Sequence, residues 1–185
     1  MIAGLRRTQL YQTYAKTARL TGFAGFEMPL YYKGIVPEHL AVRNDVGVFD
    51  ISHMGRVIIT GVDSESYLNY VITNDVSRLS PDSALYSVMC NQNGGTIDDF
   101  VVYRMEKDKF LMVYNAGNRQ KDYNWLVGNA KGFNIRIEDA SESIAMLAVQ
   151  GPNSQKTLQN ISTENLSKVE RFKCQHTKLN RKEAY

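Results

Sequence analysis

Only two cysteines, four prolines, one tryptophan and three histidines occur among the 185 residues. Cys90 and Cys174 lie far apart with no CxxC partner, so neither a disulfide framework nor a thiolate metal site is indicated. His39, His53 and His176 show no metal-ligand spacing, and no metal is expected. No apolar run is long enough to cross a bilayer. Arg6 and Arg7 are followed by no apolar stretch, which argues against a secretory leader. Basic residues number 22 against 19 acidic ones, and the net charge of +3 is scattered rather than clustered. That excludes a nucleic-acid signature. Linkers, repeats and low-complexity tracts are also missing. What is present is ordinary for a globular chain, 43% hydrophobic and 22% charged, long enough to bury a core and expected in the cytoplasm.

Periodicity supplies the elements. Leu10 to Arg19 has helical spacing, and Gly22 stops it. Phe23 to Pro29 reads as extended, and Pro37 suits the first turn of a helix that Gly47 ends. Val48–Ile51 and Arg56–Thr60 are strand candidates. Asp63 is the expected N-cap of a helix over Ser64–Ile72, with Tyr67, Leu68, Val71 and Ile72 as its apolar stripe. Three β-rich runs follow, Ala84–Asn91, Thr96–Met105 and Phe110–Asn115, the first two joined by the hairpin signal Asn93-Gly94-Gly95. A helix is expected over Arg119–Ala130 with Tyr123, Leu126 and Val127 inward, then a strand at Asn134–Glu138. Ile144–Val149 reads as a strand buried on both faces, Gly151-Pro152 opens a helix through Ile161, and Arg171–Leu179 with Glu183 onward reads as a hairpin turning near Asn180. The class is α+β, antiparallel sheets with flanking helices. Glu183-Ala184-Tyr185 reads as a strand stopping in mid-pattern, so a truncated polypeptide is expected.

The chemistry-bearing segment is Thr96 to Tyr103, where Asp98 and Asp99 interrupt an apolar hairpin. Strand neighbours point to opposite faces, so one aspartate faces inward and the other outward. Asp98 shares a face with Phe100 and Val102, and Asp99 shares one with Val101 and Tyr103. A carboxylate on a buried or cleft-lining face is costly without hydrogen bonds and so points to function. On pattern alone, a solvated pair just past a turn is the better fit. Eleven tyrosines, among them Tyr31, Tyr32, Tyr86, Tyr103 and Tyr114 in or beside sheet segments, suit a cleft gripping a flat ring, though tyrosines also simply pack in strands. Asp50, Ser52 and His53 are too close in sequence to converge as a hydrolase triad, and no GxSxG elbow exists. His53 is expected to be structural.

Several segments together resemble one family. They are Phe23 to Tyr32, Ala41-Val42-Arg43, Gly47 to Gly55, Thr73-Asn74-Asp75-Val76, Ala84 to Met89, Asn93 to Tyr103, Asn115 to Asn118 with Lys121-Asp122, and Ala148 to Pro152. In order and spacing they are similar to the aminomethyltransferase (T-protein) family of the glycine cleavage system. The resemblance implies a folate-binding fold of three domains. Residues 1–53 and 141–185 would form an incomplete first domain, 54–140 an inserted second one, and the third would be missing. It implies transfer of a one-carbon unit from the aminomethyl-lipoyl arm of the partner H-protein to tetrahydrofolate, with release of ammonia. The essential aspartate falls on Asp99, and Met54, Tyr86, Tyr103 and Asn115 would line the folate cleft. The family continues past Tyr185 with an Arg-Thr-Gly-Tyr-Thr-Gly-Glu stretch that grips the pterin. Without it, feeble activity and self-association through an exposed sheet edge are expected. Alternatives of the same fold are a non-enzymatic folate-binding module, the carbon-transfer domain of sarcosine or dimethylglycine dehydrogenases, and a fragment that only docks the H-protein.

Overall fold

The stretch expected to be helical from Leu10 to Arg19 forms a single turn, α1 (Tyr11–Tyr14), in the computed structural model, which describes residues 4–185. The expectation that Met1 to Leu10 is no secretory leader falls in part on residues 1–3, which lie outside the described residues. Hydroxyls of Thr13 and Thr17 donate back to the carbonyls of Leu10 and Tyr14, drawing on acceptors a longer helix would use. Arg19 instead opens a strand, β1 (Arg19–Phe23), paired antiparallel with β2 (Phe26–Tyr31). Next come α2 (Ile35–Asn44) and β3 (Gly47–Asp50). At the start of α2 the Glu38 carboxylate accepts from the backbone N–H groups of Tyr32, Lys33 and Gly34. These bonds, that of Gly34 foremost, hold its carboxyl below the usual range.

The middle of the chain builds one sheet. β4 (Gly55–Thr60) is followed by α3 (Ser64–Val71), β5 (Ser83–Cys90), β6 (Thr96–Glu106), β7 (Lys109–Tyr114), α4 (Arg119–Gly128) and β8 (Arg136–Asp139). The order is β5-β6-β7-β4-β8, and every pair is antiparallel. Asn91 shapes the β5–β6 turn, its Oδ1 accepting from the N–H groups of Asn93 and Gly95. All four expected stripe residues of α3 are buried, in a core with Val57, Ile59, Met89, Phe100, Val102, Phe110, Met112 and Leu126. Asp63 does not cap α3 as expected, because its carboxylate accepts from the Asn134 N–H at 2.7 Å. Val127 is likewise not inward: it is 47% exposed, and Asp122 and Leu126 are the buried residues of α4.

Beyond this sheet, β9 (Leu147–Gln150) pairs antiparallel with β3. It is shorter than the expected Ile144–Val149 strand and is not buried on both faces, with Leu147 exposed. Among the described residues the two-stranded ladder has no further strand on either side. The Cβ of any residue replacing Gly151 (φ 122°) would lie 2.4 Å from the Asp45 carbonyl oxygen and 2.7 Å from that of Val42, so the chain passes close here only as glycine. The helix α5 (Ser154–Gln159) leads to the hairpin β10 (Thr177–Leu179) and β11 (Lys182–Ala184). Its turn residues Asn180 and Arg181 both have positive φ, the mark of a tight two-residue turn.

The chain divides into two compact units. One holds the described residues through His53 together with Ile144–Val169 and His176–Tyr185, and the other holds Met54–Ser143 with Glu170–Gln175. The architecture is α+β with antiparallel sheets. No helix among the described residues is long and apolar enough to cross a membrane.

Candidate functional site

Alternation along β6 decides the roles of the aspartate pair. Asp98 is 6% exposed and shares its face with the buried Phe100 and Val102, whereas Asp99 is exposed on the opposite face. Two side chains from neighbouring strands hold Asp99. Tyr86 stands on β5 opposite Val101, and its hydroxyl donates to Asp99 Oδ2 at 3.0 Å. Asn115, immediately after β7, donates from Nδ2 to Asp99 Oδ1 at 3.1 Å, to the Asp99 carbonyl at 3.1 Å and to Asp98 Oδ1 at 3.0 Å. The donation by Tyr86 is the main cause of its phenol titrating above the ordinary range, with desolvation second, so Tyr86 stays a donor at neutral pH.

Of the five residues singled out by resemblance, Asp99, Tyr86 and Asn115 thus form one hydrogen-bonded group. Met54 precedes Gly55, whose cross-strand partner is Tyr114, and therefore lies at the same end of the sheet as Asn115. Its carbonyl accepts from Arg56 Nη1 at 2.6 Å. Tyr103 shares the face of Asp99 but lies four residues along the strand, about 13 Å at ordinary strand rise. Tyr103 is half-buried, and burial, then the nearby Cys174, pushes its phenol up. Val101 and Val113 fill the face between them, an apolar floor with a carboxylate and amide at one end and a phenol at the other.

Two carboxyls that the reading of single residues did not assign to the site lie beneath it. Asp98 accepts from the Asn115 backbone N–H at 3.3 Å as well as from its side chain. Asp122, on α4, is fully buried beside Asp98, and neither of its oxygens receives a hydrogen bond. An aspartate in the first turn of a helix ordinarily reads as a solvated partner of the helix dipole, so nothing in the sequence marked Asp122 as buried.

Elsewhere, Asp50, Ser52 and His53 do not converge. Asp50 accepts from Thr8 and from the Ser52 N–H, and His53 packs edge-on against Phe23 with ring centroids 5.4 Å apart. A cavity of about 550 Å³ lies among β2, α2 and β3, lined by residues that include Met28, Tyr31, Glu38 and Phe49. None of the five expected residues lines it.

Comparison with known proteins bears on this arrangement. The family model described as the GCVT N-terminal domain matches residues 10–184. An aminomethyltransferase of Thermotoga maritima is 45% identical over 166 residues, 89% of this chain and 46% of that protein. Another from Caldanaerobacter subterraneus is 44% identical over 169 residues, 91% of this chain and 45% of that protein. The crystal structure of glycine cleavage system aminomethyltransferase T from Bartonella henselae superposes with a TM-score of 0.81 at 34% identity, covering 85% of this chain and 44% of that one. The chain therefore spans about half the length of the relatives it matches.

Proposed function

Because the chain belongs to the aminomethyltransferase family of the glycine cleavage system, we propose that its Asp99 site serves a folate-dependent one-carbon transfer. The donor would be the aminomethyl-lipoyl arm of the H-protein, the acceptor tetrahydrofolate, and the leaving group ammonia. One observation carries this reading. Asp99 is an exposed carboxylate whose two side-chain oxygens each receive one donor, from Tyr86 and Asn115, at the end of a face floored by Val101 and Val113 and carrying Tyr103. That surface suits a flat heterocycle bearing N–H groups, with apolar floor for the ring and carboxylate for the nitrogen. Tetrahydrofolate supplies the nitrogen that takes up the one-carbon unit. Asp99 is placed to accept the proton that this nitrogen sheds and to steady the positive charge that develops beside it. Tyr86 and Asn115 fix the direction of the carboxylate, and Met54 and Tyr103 would bound the ligand at its sides.

Calorimetric titration of tetrahydrofolate against this chain and its Asp99→Asn form tests the proposal. Losing a charge-assisted bond corresponds to about 1.5–3 kcal/mol, so roughly 10- to 100-fold weaker binding is expected. Equal binding by the two forms, or none by either, would remove Asp99 from a folate site formed by this chain. Retention on lipoylated H-protein with no folate bound would favour a docking module of the same fold.

Self-association belongs to the same proposal. Among the described residues no strand pairs with the outer edges of the β3–β9 ladder, and Val48, Phe49 and Leu147 are exposed there. Sedimentation velocity should show a mass rising with protein concentration, and Phe49→Lys should return it to monomer. A concentration-independent monomer would count against the edge.

A further inference from the structure

A proton is required where two buried carboxyl groups meet, and the surroundings decide which group carries it. Asp98 is supplied with two donors by Asn115, Nδ2 at 3.0 Å and the backbone N–H at 3.3 Å, and the Asn118 side chain and the Asp99 N–H further favour its ionised form. Asp122 has no donor. It is fully buried, and neither of its oxygens receives a hydrogen bond. The Lys121 ammonium lies 4.0 Å from Asp122 Oδ1 and is engaged by the Ile97 carbonyl at 2.6 Å. Two ionised carboxylates in contact would repel, and neither could donate to the other. With a proton on Asp122 the same contact becomes a hydrogen bond from an acid to a carboxylate, among the stronger kinds.

We propose that Asp122 is a positioning residue, a carboxylic acid kept neutral in the interior that donates to Asp98 and so fixes the Asn115 amide spanning Asp98 and Asp99. The chain of contacts is direct. Asp122 orients the Asp98 carboxylate, Asp98 accepts from Asn115, and the same Asn115 nitrogen reaches the Asp99 carboxylate. Because all three acceptors of Asn115 Nδ2 are oxygens, they admit only one orientation of the amide. That this geometry serves folate chemistry rests on the reading of Asp99 given above, whereas the location of the proton does not.

Electrostatics agree with the geometry. Burial, followed by the hydrogen bond to Asp98 and its charge, pushes Asp122 up to about 8, against a small opposing effect of Lys121. Burial works against ionised Asp98 too, yet bonds from Asp122, Asn115, Asn118 and the Asp99 N–H outweigh it and hold Asp98 below the usual range. The charged and titratable groups around Asp122 are Asp98 on β6, Tyr114 on β7 and Lys121 on its own helix. Burial also keeps Tyr114 neutral, and Arg119, Asp139 and Tyr123 act on it in turn. The sign of the pH effect follows. As pH rises from the ordinary aspartate range to about 8, the unfolded chain has lost the Asp122 proton and the folded one retains it. Folded stability therefore declines across that window with a slope of up to about one proton, then levels off once the folded acid ionises.

The test is a carbon-13 titration of the aspartate carboxyl groups in this chain and in Asp122→Asn, without folate. One carbon in the unsubstituted chain should titrate near 8 and be missing from Asp122→Asn. The Asn115 side-chain amide signals should move through the same midpoint, and in Asp122→Asn, whose amide donates at every pH, they should stay put. Ionisation of Asp122 already complete at pH ~6, well above the ordinary aspartate range, would overturn the proposal. So would Asn115 signals indifferent to the titration. Asp122→Ala should release the Asn115 signals if it folds, and if it does not, the first two forms still decide. Failure of folate binding would leave this titration unchanged, so the two readings fail separately.

Discussion

Chains carrying Tyr67→Ala are expected to lose about 3–5 kcal/mol of stability, which would shift the urea midpoint sharply downward. Tyr67 is fully buried in the second unit among the α3 stripe and the sheet core. Its ring meets Phe133 edge-on at 5.3 Å, and its hydroxyl donates to the Leu126 carbonyl in α4 at 2.6 Å. One side chain thus joins α3, α4 and the segment after α4. Truncation leaves a cavity that close-packed neighbours cannot fill, and this dominates the cost. The lost hydrogen bond contributes less, because the Leu126 carbonyl also accepts from the Asn129 N–H at 3.3 Å. Tyr67→Phe should accordingly cost only about 0.5–1.5 kcal/mol. If the alanine form lost no more than the phenylalanine form, the ring would not be the keystone described.

A second large effect is expected from a single added methyl group. The Cβ of alanine at position 55 would lie 2.1 Å from Cε2 and 2.5 Å from Cδ2 of Tyr114. Tyr114 is only 1% exposed, so its ring has nowhere to swing, and either the strand or the core must shift. Overpacking of this kind costs about 1–3 kcal/mol. The displacement should also reach the site, because Gly55 and Tyr114 face each other across β4 and β7, directly beside Met54 and Asn115. Gly55→Ala should therefore lower the urea midpoint and perturb the Asn115 amide signals together. Gly117→Ala, where an added Cβ meets nothing within 4 Å, serves as the control and should do neither. Gly55→Ala with unaltered Asn115 signals would show that the strain is absorbed away from the site.

The sheet was legible because its signals were local and redundant. Runs expected at Ala84–Asn91, Thr96–Met105 and Phe110–Asn115 correspond to strands at Ser83–Cys90, Thr96–Glu106 and Lys109–Tyr114. Strict alternation and the Asn93-Gly94-Gly95 turn left little freedom of register. The same alternation put Asp98 with Phe100 and Val102, and a face carrying those two is the buried one. Misreadings arose where a long-range contact overrode a local preference. Asp63 prefers the Asn134 N–H to its own helix, Leu10 to Arg19 yields its end to strand pairing, and Leu147 stays exposed in a ladder of two strands. Asp122 is the instructive case. It is buried on α4 while the apolar Val127 is exposed, and its cost is offset by a carboxyl partner 24 positions earlier in the numbering, which no window of local sequence contains.

The first unit is stitched together across the length of the second. Ser52 and Met146 exchange hydrogen bonds at 2.9 and 3.2 Å although they lie 94 residues apart, and the β3–β9 ladder continues from there. Closing so distant a pair is entropically slow compared with the consecutive hairpins of the sheet between them. During synthesis, β3 leaves the ribosome long before its partner exists, and Val48 and Phe49 wait unpaired while the later-made sheet can already close. Among the strands of this chain β3 waits longest for its partner, whereas β1 and β2, made before it, can pair with each other across a two-residue turn as soon as both exist.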